Sequence, residues 1–217
     1  MNRRGLPLAW MIAGALALPV HAADMPDVKV QAVLSGVATG GTANPGGVAA
    51  ETLWLKGDRV RVDFDAGQGR RGRILRDGRG HAWLFMSTSD RALPAQHVPI
   101  GAITRLDPAQ PCWKLGFACD KVGQRVIAGR QAEGWRYRHA EQSGPGGTDS
   151  GTFWIDAQYG LLLAFQGKDV GEHARRMETT AVDFQAIPDD TFKAPEAVRQ
   201  DIENADRRAD ALRGYPH

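Results

Sequence analysis

Cysteine is nearly absent from this chain. The two present, Cys112 and Cys119, do not form a C-x-x-C pair, which excludes a redox dithiol and a thiolate metal cage. Histidine occurs without pattern: His81, His97, His139 and His173 stand apart, with no H-x-H or H-E-x-x-H spacing, so no metal site follows from them. No G-x-S-x-G elbow presents a nucleophile, and no glycine-rich stretch joins a strand to a helix as a phosphate cradle requires. Catalytic residues, metal ligands and cofactors are therefore not assigned, and nothing in the sequence asks for an enzyme. Long apolar runs are missing too. Residues 6–20 form the longest near the start, but they carry Pro7 and Pro19 and fall short of the ~20 residues of a membrane span.

That run follows Arg3 and Arg4 and leads into Val20-His21-Ala22. A positive start, a short apolar centre and small residues before the cut are the layout of a secretory signal, cleaved near Ala22 or Ala23. Residues 1–22 hold two of the 27 basic residues and none of the 25 acidic ones, so the remainder carries 25 of each and is neutral. A neutral chain gives no electrostatic footprint for nucleic acid. The remainder suits one domain over residues 23–195 and a helical tail over 196–217. In an oxidising compartment an even pair of cysteines reads as a disulfide, so Cys112 and Cys119 are expected to close a short loop.

What is present is hairpins. Val28, Val30, Ala32 and Leu34 alternate with Lys29, Gln31 and Val33, and Val60, Val62 and Phe64 alternate with Arg59, Arg61 and Asp63. Turns fall at Lys56-Gly57-Asp58, Asp77-Gly78 and Ala128-Gly129. Strands are expected over residues 28–34, 48–55, 59–64, 71–76, 81–86, 120–127, 130–139, 152–156, 161–167 and 175–184. About ten strands in one antiparallel meander exceed what a flat sheet holds before curling. Residues 87–110 break the rhythm with Pro94, Pro99 and Pro108, and read as a crossing segment with one short helix. Ile187 to Phe192 reads as a capped turn that tucks Phe192 inward. Pro195 then opens a helix to Arg213, whose thin apolar stripe runs through Val198, Ile202, Ala205, Ala209 and Leu212. That stripe either lies on the domain's own surface or offers a seam to a protein partner.

The succession LWLKGDRVRVDF, ILRDGRGHAWLF, the PC…C hairpin ending in GWRYR, GTFWID and the closing IPDDTFKAP resembles the LolA-like exported proteins, relatives of the periplasmic lipoprotein carrier. The resemblance spans roughly residues 50–195. It implies a periplasmic location and a mainly β, α+β fold: a single strongly curved antiparallel sheet, an incomplete β-barrel, with a short crossing helix and a C-terminal helix. It also implies an apolar cavity on the concave face that takes up acyl chains. The carrier's lid helix has no counterpart between Asp24 and Val28, so residues 87–110 or the terminal helix fills that place, or nothing does.

Side chains two apart on a strand share a face, which pairs Trp83 with Phe85, Trp135 with Tyr137 and Phe153 with Ile155, and aligns Leu163 with Phe165. On a curved sheet these eight are the candidate lining of an apolar ligand site, holding a lipid, an acyl chain or a lipoprotein. The same residues equally make a plain core, in which case the chain is a sensor or interaction module with no ligand. Arg59, Arg61, Arg71, Arg73 and Arg76 form a basic stripe that either meets anionic partners or is a solvated face paired with nearby aspartates.

Overall fold

The computed structural model describes residues 25–36, 47–78, 80–89, 91–94 and 105–213. The expected signal segment, residues 1–22, lies outside them. So do residues 90 and 95–104 of the crossing segment in which a short helix is expected.

Among the described residues the strands are β1 (Val28–Ser35), β2 (Val48–Lys56), β3 (Arg59–Asp65), β4 (Arg71–Arg76), β5 (Ala82–Met86), β6 (Ala92–Pro94), β7 (Cys119–Ile127), β8 (Arg130–Tyr137), β9 (Ser150–Asp156), β10 (Leu162–Lys168) and β11 (Ala174–Phe184). A helix, α1 (Glu196–Arg213), follows them, beginning one residue after Pro195. All eleven strands belong to one antiparallel sheet in the order β6-β5-β4-β3-β2-β1-β11-β10-β9-β8-β7. Two meanders thus meet where β1 pairs with β11, and the end strands β6 and β7 do not pair, so the sheet is open.

Ten strands match the sequence pattern, and β6 is the eleventh. Its three residues, one of them Pro94, make a short and poorly donating edge, as suits a strand that must not recruit another chain. The two-residue connections behave as their composition demands. Ala128 and Gly129 both take positive φ, 48° and 76°, the conformation that matches the twist of a tight hairpin. Gly160 has φ 67°, and a Cβ there would meet the Leu106 carbonyl, which anchors residue 106 against the β9–β10 turn.

One face of the sheet carries the main core. Cross-strand partners Val30, Leu53, Val62, Ile74 and Leu84 run in register across β1 to β5 on this face. Leu34, Met177, Phe165 and Phe153 continue it through β11, β10 and β9. The buried members form one continuous cluster spanning both meanders. Each fully buried aliphatic or aromatic side chain contributes about 1.5–3 kcal/mol of transfer free energy. Cys112 and Cys119 form a disulfide, which ties the 3-10 turn Trp113–Leu115 to the start of β7.

Trp54 and Trp154 point to the opposite face, each beneath a cation: Arg61 at 4.6 Å from the Trp54 ring and Arg125 at 3.9 Å from Trp154. The closing IPDDTF segment is a 3-10 turn, Asp189–Phe192, clamped to the β2–β3 hairpin by Asp189, which meets Lys56 at 2.9 Å and Arg59 at 2.8 Å. Phe192 is not tucked into the core. It lies half-buried under the Arg59 guanidinium at 5.0 Å, because Asp189 holds that arginine over it.

Candidate functional site

The eight expected lining residues do not share one face. Tyr137, Phe153, Ile155, Leu163 and Phe165 meet in the main core, each no more than 3% exposed, with Trp135 packed partly buried against them. The Tyr137 ring lies 5.1 Å from Phe117 and 5.8 Å from Phe153. Its hydroxyl is hydrogen-bonded to Thr148 Oγ1, which itself donates to the Pro145 carbonyl at 2.7 Å. Burial, the largest effect, pushes the Tyr137 phenol up to about 12.

Trp83 and Phe85 are elsewhere. Their cross-strand partners are Leu75 and Arg73, whose neighbours on β3 are Arg61 and Asp63, all on the face opposite Val62 and Ile74. There Leu75, Trp83, Phe85 and Val198 form a second apolar cluster, with Ala92, Ala194 and Ile202 packed on it. The first turns of α1 therefore lie on the sheet's own surface, with Val198 buried. Residues 74–75 and 83–85 explain the split: consecutive apolar residues in β4 and β5 fill both faces of that end of the sheet.

Beside the second cluster, the sheet and the start of α1 enclose a cleft of about 570 Å³. Its floor is two cross-strand rows, Thr52–Asp63–Arg73–Phe85 and Ala50–Asp65–Arg71. Ser87 continues the second row, its amide donating to the Arg71 carbonyl at 2.9 Å. Val198 and Pro195 supply apolar wall, and Ser89 stands at the rim. Asp63 receives Arg73 Nε at 2.7 Å and a second pair of contacts from Arg61. Burial alone would raise the Asp63 carboxyl, but the hydrogen bonds from Arg61 and Arg73 outweigh it and hold it below the usual carboxylate range. Asp65 is likewise lowered, by the Gly67 amide and then by Arg71, whose Nε lies at 2.8 Å. Three guanidiniums thus share two carboxylates. The expected basic stripe is a paired face, completed by Arg59 on Asp189 and Arg76 on the Asp58 carbonyl at 3.3 Å.

No protein-family model matches the chain, and no curated protein matches it. It is similar to the structure of an uncharacterized conserved protein from Thermus thermophilus, at 7% identity over 79% of this chain and 86% of that one, with a TM-score of 0.53. The likeness is one of fold. The chain is also similar to MucB of Pseudomonas aeruginosa, solved with MucA, at 20% identity over 81% of this chain and 58% of that one, TM-score 0.48. A further solved relative in shape is the LolA superfamily protein NE2245 from Nitrosomonas europaea, at 11% identity over 79% of this chain and 91% of that one, TM-score 0.38. The chain spans less than two thirds of MucB's length.

Sequence reasoning saw Arg71 and Arg73 as a stripe and Val198 as part of a helix face, but did not join them. The signal that joins them is β5 itself. Ala82 to Met86 is apolar at every position, the mark of a strand covered on both faces, so a second layer had to lie there.

Proposed function

We propose that this chain is an exported binding protein that holds the apolar part of a small ligand in the cleft between the sheet and α1. The cleft itself carries the reading: about 570 Å³, walled by Phe85, Pro195 and Val198, is the size and character of a small-molecule site. Export is supported by the signal-like residues 1–22 and by the Cys112–Cys119 disulfide. The role is binding, driven by burial of alkyl groups at about 0.8 kcal/mol per methylene. An acyl chain on the core face would have to displace Phe153, Ile155 and Leu163, which already pack on one another.

The test is titration with a fluorescent fatty acid. Phe85→Ala and Val198→Asp are expected to weaken binding at least ten-fold, while Trp135→Ala leaves it unchanged. Binding that survives both cleft variants and is lost with Trp135→Ala would return the ligand to the core face. The filled core face also favours a second role, capture of a protein partner through α1. Removal of residues 196–217 would then abolish capture from a protein that binds no probe.

A further inference from the structure

We infer that the cleft reads the head of its ligand as well as its tail, and that the head is a single anionic group, a carboxylate or a phosphate monoester, on a one-chain amphiphile. This rests on the cleft reading above and goes past it to the ligand's charge. The charged cluster that includes the cleft floor is not balanced. Asp63 is bonded to Arg73 in the floor and to Arg61 beside the cleft, while Asp65 takes Arg71. The floor's own two arginines match its two aspartates, and Arg61, outside the lining, adds one net positive charge to the cluster at its edge.

The geometry orders that charge along the cleft. Arg71 and Arg73 occupy adjacent rows of β4 with Gly72 between them, so both extend from the same face of one strand. Arg71 uses Nε on Asp65 at 2.8 Å, and Arg73 uses Nε at 2.7 Å and Nη2 at 3.2 Å on Asp63. A guanidinium carries five donors in a fixed fork, so each still keeps donors for a second planar or tetrahedral anion. The Arg71 side chain is 71% exposed and that of Arg73 30% exposed, so both are reachable from the cleft. The hydroxyl of Ser87, next along the row from Arg71, adds a neutral donor. In the neighbouring row Phe85 follows Arg73 and packs with Val198 of α1, where a tail would lie. Cationic donors on one side and apolar wall on the other match an amphiphile with its head at β4 and its chain running towards α1. A free inorganic anion or a bare acyl chain would each leave one half of this arrangement unused.

Isothermal titration of the purified protein with decanoate, decyl phosphate and 1-decanol separates the possibilities, since the three share a tail. The inference expects at least one of the two anions to bind ten-fold or more tightly than the alcohol. It also expects Arg73→Gln and Arg71→Gln to erase that preference without changing the affinity for decanol. Arg61 remains on Asp63 in the first variant, and the second alters a mostly exposed side chain, so both are expected to fold. A preference of one anion alone assigns the head as that anion. Equal affinities for all three, or a preference untouched by both variants, would overturn the inference and leave the apolar cleft standing. Failure of decanol and both anions to bind would remove the cleft reading itself.

Discussion

Glu51 is the side chain that the core face accommodates least well. It lies between Ala32 and Phe64 in the cross-strand register, 6% exposed, with Oε2 lacking any hydrogen-bond partner. Thr179, across Ala32 on β11, is buried with an unpartnered hydroxyl as well. Its row neighbours, Ala32, Phe64 and Thr179, bring no charge, so burial acts unopposed and pushes the Glu51 carboxyl up from 4.5 to about 8. Between those two values the folded chain keeps a proton that the unfolded chain has lost. Stability is therefore full below about pH 4.5, falls as pH rises towards 8, and levels off above, with a slope of at most about 1.4 kcal/mol per pH unit. Thermal melts from pH 4.5 to 8.5 are expected to show this decline in the native sequence and to lack it in Glu51→Gln. A parallel decline in both would assign it to other groups. Tyr137→Phe makes a smaller change: it removes the partner of Thr148 Oγ1 while that hydroxyl still donates to Pro145, and is expected to cost about 1 kcal/mol by urea unfolding.

At the scale of elements, the hairpins are where local sequence decides the outcome. The β7–β8 turn requires two left-handed residues, and the chain supplies Gly129 at one and Ala128 at the other, φ 48°. Alanine is strained in that conformation by its Cβ, so Ala128→Asn is expected to stabilise the fold by about 1 kcal/mol, read as a higher urea midpoint with unchanged slope. An unchanged midpoint would show that the turn is not strained. Ten of eleven strands, the turns between them and the start of α1 were legible because period two, glycine and Pro195 act within a few residues. β6 was not, since three residues around Pro94 carry no period. The faces were only half legible. Trp83 and Phe85 share a face by spacing alone, but whether that face is the one bearing Phe153 depends on register carried across eight strands. No local rule counts that far, and the two aromatic groups end on opposite sides.

For the whole molecule, the sheet is two meanders closed on one core, held at its β7 end by the Cys112–Cys119 loop and flanked on the other face by α1. The disulfide constrains the unfolded chain, so Cys112→Ser with Cys119→Ser is expected to cost about 2–3 kcal/mol by chemical denaturation, with the cleft ligand still bound. Loss of ligand binding in that variant would tie the loop to the site, contrary to its distance from β4 in the strand order. The cleft was the least legible feature. Arg73, Ser87 and Val198 come from parts of the chain that meet only when α1 docks on β5, and no spacing in the sequence announces that contact. The measurement that bears most directly on the placement of the ligand is cross-linking with a diazirine-bearing fatty acid, mapped by peptide mass spectrometry. Labels are expected on the segments holding Phe85–Ser87 and Pro195–Val198. Labels concentrated on those holding Trp135, Phe153 or Phe165 would contradict the account and place the ligand on the core face.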